Sequence, residues 1–235
     1  NGGGSATASR QAYRRRYLER LRTVRNHFAI AMTIDRLILG FKSFRETYYE
    51  EQPDFYRLLV EKGQKPEIMV IACSDSRVNP SILAKADPGE LFIVRNVANL
   101  VPPYEPDSNY HGTSAAIEFA VRNLNVQHII VLGHSHCGGI RFLCESRKGD
   151  EKREFIEGWM SIVEQVRDDG LAGEAQHRHA EREAVKVSLS NLLSFPWVKD
   201  RVEDGQLKLH GWWFDLVAGE LLAHEAEEGW KTVAG

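Results

Sequence analysis

Two short clusters hold the residue types that could do chemistry in this chain: Cys73-Ser74-Asp75-Ser76-Arg77 and His134-Ser135-His136-Cys137-Gly138-Gly139. Together they offer two thiols, an imidazole and a carboxylate, which is the donor set of a zinc ion. Cys73, His134 and Cys137 read as three ligands, leaving a fourth position for water, as in a catalytic site. Zinc lowers the pKa of such a water from about 15.7 to about 7, so hydroxide forms at neutral pH. Asp75 is placed to accept a hydrogen bond from it. Arg77 is placed to keep Asp75 ionised and turned correctly with a guanidinium fork. A purely structural zinc site needs no such pair, and an ordinary loop salt bridge is the lesser alternative.

The other donors read differently. His136 lies between the two spaced ligands and belongs behind them or on the surface. Cys144, seven residues after Cys137, reads as a packed thiol on the same helix. His177 and His179 stand in a charged stretch and read as solvated surface. Gly133, Gly138 and Gly139 let the backbone come close to whatever sits at the site.

Each cluster follows a short β-branched apolar run. Glu67–Ala72, Leu91–Arg95 and His128–Leu132 read as buried strands, and Gln206–Phe214 as a later one. Helical patterns cover Leu37–Lys62 with a break near Gln52-Pro53, Thr113–Leu124 with Thr113 or Ser114 as its cap, and Glu174–Leu193. Buried strands alternating with helices predict an α/β fold, a mostly parallel β-sheet flanked by helices. Sites in such sheets gather at the carboxyl ends of strands, where both clusters fall.

Before Met32, seven arginines face one acid, Glu19, and Tyr13, Tyr17, Leu21, Val24 and Phe28 recur at helical spacing. Residues 1–31 therefore read as a basic N-terminal helical arm, and 32–235 as the catalytic domain. The arm is suited to docking on its own oligomer, on an acidic partner or on a membrane surface, or to targeting. A formal net charge of -3 argues against nucleic acid as the main partner. Three cysteines cannot make a disulfide framework, so a reducing compartment is expected. With no signal-peptide pattern and no membrane-length apolar run, the expected location is cytoplasm or an organelle stroma or matrix, not secretion.

The residues also carry a resemblance. Cys-Ser-Asp-Ser-Arg-Val at 73–78 and Gly-His-Ser-His-Cys-Gly-Gly at 133–139 resemble the paired signatures of the β-class carbonic anhydrases. The likeness extends to Arg95–Pro103, Gly112–Glu118, Glu183-Ala-Val, Asn191–Trp197 and Gly211–Asp215, and points to the plant-type branch. It implies Zn2+ on Cys73, His134 and Cys137, with Asp75 and Arg77 as the catalytic dyad. Gln64 matches a substrate-orienting glutamine, and Phe92, Val97 and the Gly138 backbone match the lining of a carbon dioxide pocket. Phe119 stands where the plant-type pattern has tyrosine, which removes a hydroxyl but keeps an apolar wall.

In that family the glutamine and part of the lining reach the zinc of a neighbouring subunit, which implies a homodimer or higher even oligomer. Members that switch off through aspartate ligation carry tryptophan and glycine where this chain has Val70 and Ala72. Asp75 is therefore a fourth ligand only in a closed state. The implied reaction is reversible hydration of carbon dioxide to bicarbonate and a proton by zinc-bound hydroxide. The alternative is hydrolysis of carbonyl sulfide or carbon disulfide on the same zinc site. No motif fixes a proton-shuttle residue among the nine histidines.

Overall fold

A computed structural model describes residues 33–146, 149 and 151–235. The basic arm expected over 1–31 lies outside the described residues. Contacts divide the chain after Gly63. In the first unit, Thr33 caps α1 (Ile34–Arg45), its Oγ1 accepting from the Arg36 N–H at 3.2 Å. The helix runs into a π-helical turn, Glu46–Glu51, and stops at Gln52. Pro53, whose missing N–H is harmless in a first turn, opens α2 (Pro53–Lys62). The expected break is where the sequence placed it, and Phe44, Tyr48 and Tyr56 cluster across it.

The second unit is built on β1 (Ile68–Cys73). Met69 and Ile71 enter one apolar layer, while Val70 and Ala72 enter the other. A strand buried on both faces reads as an unbroken apolar run, which is why it was legible. Then follow α3 (Pro80–Ala84), β2 (Leu91–Asn96), α4 (Gly112–Glu118) and β3 (His128–His134). After these come α5 (Gly138–Glu145), α6 (Ile156–Met160), α7 (Gly173–Leu192) and α8 (Pro196–Glu203). The chain closes with β4 (Lys208–Asp215), β5 (Glu220–Glu225) and β6 (Gly229–Ala234).

The sheet order is β2-β1-β3-β4-β5-β6. The first four strands are parallel, and β5 and β6 add an antiparallel edge. From β1 the chain crosses first to β2 on one side and then to β3 on the other. The order therefore reverses between β1 and β3, which opens a crevice at their carboxyl ends. No helix among the described residues is long and apolar enough to cross a membrane.

Three expectations are corrected. Cys73 and His134 are the last residues of their strands rather than one or two beyond them. Neither Thr113 nor Ser114 caps α4, which starts at Gly112; Thr113 Oγ1 instead accepts from Asn96 Nδ2 at 3.2 Å. The helical run there changes from α to π geometry over Phe119–Asn123.

Candidate metal centre

The reversal of strand order brings Cys73 and His134 together, and the turn after β3 adds Cys137. Their ligand atoms all lie within 4.8 Å of one another, and all three residues are buried. The two sulfurs are 3.9 Å apart. Two sulfurs bonded at about 2.3 Å to one tetrahedral ion stand about 3.8 Å apart, so the pair is already at ligand spacing. His134 Nδ1 is hydrogen-bonded to the Ser135 carbonyl at 2.8 Å. That fixes the tautomer and leaves Nε2 buried with no hydrogen-bond partner. An orphaned buried nitrogen is costly unless something binds it. The donor set fits a zinc ion.

The thiols share a proton in a way that suits this. Hydrogen bonding from Cys137 pulls Cys73 well below the ordinary thiol range, despite its burial. The negative charge this creates, and burial, push Cys137 well above the ordinary thiol range. Amides of Ile140 and Gly139, at the start of α5, act in the opposite direction on Cys137. A divalent cation between the sulfurs removes the conflict by favouring both thiolates.

Asp75 and Arg77 form the expected pair. Arg77 Nε and its backbone N–H both donate to Asp75 Oδ1 at 2.9 Å, and Nη2 donates to Oδ2 at 2.6 Å. This fork holds the Asp75 carboxyl below the usual carboxylate range. Arg77 Nη2 also donates to the His136 carbonyl at 3.0 Å, linking the two clusters. His136 itself takes a left-handed φ of 56° and is exposed. Cys144 is buried on α5, where desolvation raises its thiol. His177 is less solvated than its charged neighbours implied, with Nε2 3.6 Å from Glu145.

Two of the three glycines are in close contact with protein. A Cβ at Gly133 would lie 2.6 Å from Val185 Cγ2, and one at Gly139 would lie 2.7 Å from Val97 Cγ1. Gly138 faces open space. Val97 thus packs over the start of α5, next to the ligand cluster. Phe92 and Phe119 pair with each other, ring centroids 6.0 Å apart. Phe92 lies opposite Met69, four residues before the level of Cys73, or about 13 Å along the strand. Gln64 is exposed and precedes the amino end of β1. In one chain, Gln64 and Phe92 therefore stand away from the three ligands.

Two supports of the site were not read from the sequence as such. Arg95 donates to the carbonyls of Cys73 (2.8 Å), Asp75 (2.6 Å) and Val78 (2.7 Å), tying the first ligand to the dyad. Glu181, on α7, is buried and accepts from the Cys137 N–H at 3.0 Å. Burial lifts its carboxyl to about 7. It stands four residues before buried Val185 and seven before buried Ser188, a helical spacing that could have marked it despite its charged neighbours.

Residues 68–221 match the carbonic anhydrase family model. Beta carbonic anhydrase 3 of Arabidopsis thaliana is 42% identical over 194 residues, covering 79% of this chain and 74% of the relative. The solved β-carbonic anhydrase CcaA superposes with a TM-score of 0.78 at 35% identity, over 86% of this chain and 92% of that one. A tetrameric β-carbonic anhydrase from Sordaria macrospora gives a TM-score of 0.70 at 27% identity, over 80% of this chain and 94% of that one.

Proposed function

The chain belongs to the β-class of the carbonic anhydrases, and from that premise we propose that it hydrates carbon dioxide reversibly to bicarbonate and a proton, with zinc held by Cys73, His134 and Cys137. The observation that carries this reading is the buried cluster of two thiols and an unpartnered imidazole nitrogen beside a forked Asp75–Arg77 pair. When bound there, zinc supplies a water acidic enough to act as nucleophile near neutral pH.

The protein's own residues do the rest. Asp75, kept ionised by Arg77, accepts a hydrogen bond from the attacking group and turns its lone pair towards the substrate carbon. Arg77 does not contact the substrate; it holds Asp75 with three donors and fixes the His136 carbonyl. Val97, packed against the start of α5, offers an apolar wall for a linear, non-polar substrate, and the backbone at Gly138 leaves room beside it.

Gln64 and the Phe92–Phe119 pair serve the site of a neighbouring subunit. Residues 68–73 of β1 alone span about 17 Å, so Gln64 cannot easily reach the ligands of its own chain. A homodimer or higher even oligomer follows, in keeping with the tetrameric fungal relative. Residues 1–31 are an extension to a catalytic domain spanning 32–235. The free cysteines suit a reducing compartment such as cytoplasm or an organelle stroma.

The experiment is a stopped-flow carbon dioxide hydration assay on the zinc-loaded and chelated protein. Turnover that needs zinc is the expected result; equal rates with and without metal would overturn the reading.

A further inference from the structure

The turn that delivers Cys137 has unequal supports. His134 is held by the β3–β4 ladder, opposite Phe214. Ser135 is held too: its N–H donates to the Phe214 carbonyl at 2.9 Å, and its Oγ accepts from the Leu216 N–H at 2.8 Å. The chain then leaves the sheet, passes through left-handed His136, and enters α5 at Gly138. Cys137 is the residue before that helix, where backbone N–H groups have no partner within the helix. Its N–H has one partner, Glu181 Oε1, at 3.0 Å.

Glu181 is 3% exposed. Burying a carboxylate costs more than burying leucine or methionine of similar size, so packing alone does not explain it. The only other buried carboxylate among the described residues, Asp215, accepts from the amides of its own turn, Val217 and Ala218, and from Ser135 Oγ at 3.4 Å, but not from a candidate ligand. Glu181 instead reaches across from α7 to a candidate ligand. The depth of α7 is set one helical turn away, where the missing side chain of Gly133 admits Val185 against β3. The helix is thus seated on the strand that carries His134, and it presents its one buried acid to Cys137.

We propose that Glu181 is a positioning residue of the metal centre, its carboxylate oxygen holding the Cys137 backbone where the sulfur can reach the ion. The inference rests on the reading of Cys73, His134 and Cys137 as the zinc ligands. The role needs an acceptor oxygen at that place, not a charge, so glutamine substitutes and leucine does not. Groups that orient metal ligands change affinity by about 10- to 100-fold when removed.

The test uses the full chain with Glu181→Gln and Glu181→Leu. Zinc affinity is measured by competition with a chromophoric chelator, and the thiolate-to-metal absorption is recorded after cobalt substitution. Glu181→Leu is expected to bind zinc about 10- to 100-fold more weakly and to show an altered cobalt spectrum. Glu181→Gln is expected to match the parent in both. Should Glu181→Leu fail to fold, Glu181→Gln still decides: a tenfold loss of affinity there overturns the role. A leucine variant with parental affinity and spectrum overturns it as well. If the parent itself takes up no zinc, the metal-centre reading falls first, and this inference falls with it.

Discussion

Replacing Asp75 by alanine should separate catalysis from metal binding and from folding. An ionised carboxylate offers roughly four acceptor positions. Arg77 fills three of them, two on Oδ1 at 2.9 Å and one on Oδ2 at 2.6 Å, which leaves one for the attacking water. A hydrogen bond to a charged group contributes about 1.5–3 kcal/mol. At about 1.4 kcal/mol per tenfold, its loss alone slows the reaction about 10- to 150-fold. Positioned acid–base groups contribute about 10²–10⁴-fold, so the expected fall in turnover is on the order of 10²-fold or more.

Stability should hardly move. The Arg77 side chain is 53% exposed and keeps its bond to the His136 carbonyl, so no buried charge is stranded. With Asp75 15% and Arg77 53% exposed, the pair lies at the upper end of the roughly 0–1 kcal/mol typical of surface ion pairs, a change in Tm of about 2–4 °C for a chain of this size. Stopped-flow hydration with a pH indicator, zinc content by mass spectrometry and a thermal melt measure the three quantities on one preparation. Parental turnover in Asp75→Ala would refute the dyad. Loss of zinc along with turnover would make Asp75 a ligand instead.

Gly139→Ala places a Cβ 2.7 Å from Val97 Cγ1 and 3.1 Å from Ala98 Cβ. Overpacking of this kind costs about 1–3 kcal/mol, so a melt should show a Tm several degrees lower, with slower hydration as Val97 is displaced. Unchanged values in both would contradict the close packing. Zinc uptake by the chelated protein at pH 7 should release about one proton or more, because Cys137 holds its proton well above the ordinary thiol range. The sign follows: zinc affinity weakens as pH falls, and calorimetry in buffers of different ionisation enthalpy counts the protons. A count of zero would be incompatible with the shared-proton thiol pair. Gln64→Ala should fold, bind metal and lose turnover. Mixed with Asp75→Ala, it should regain activity, since a hybrid dimer contains one site with both residues intact. A mixture no more active than its parts would place Gln64 outside the neighbouring site.

Much of this arrangement was legible because the chemistry sits where the sheet puts it. The runs before Cys73 and His134 are short, apolar and β-branched, and strands buried on both faces cannot look otherwise. The cysteine and histidine spacing then needs only the carboxyl ends of those strands to meet. The C-terminal hairpin was not legible in the same way. Glu220–Glu225 and Gly229–Ala234 are partly exposed strands with charges among their residues, and they exist by pairing, β5 with β4 and edge strand β6 with β5, rather than by any pattern of their own. Glu181 was hidden for another reason. It stands among Arg178, Arg182 and Glu183, and a charge run reads as a solvated face until the helix is turned so that residue 181 joins Val185 and Leu192. Arg95 belonged to a recognisable motif, but its grip on three carbonyls depends on the loop after β1 folding back over β2. Spacing alone does not encode that.

The central claim is that a zinc ion in the Cys73–His134–Cys137 cluster serves carbon dioxide hydration. Its most direct test follows carbon dioxide hydration and sulfide release from carbonyl sulfide side by side, on protein loaded with zinc, stripped by chelator and reloaded. The account predicts fast hydration that disappears on stripping and returns with one zinc per chain, with sulfide release far slower throughout. Hydration that survives removal of the metal, or sulfide release that outpaces hydration in the loaded protein, would contradict it.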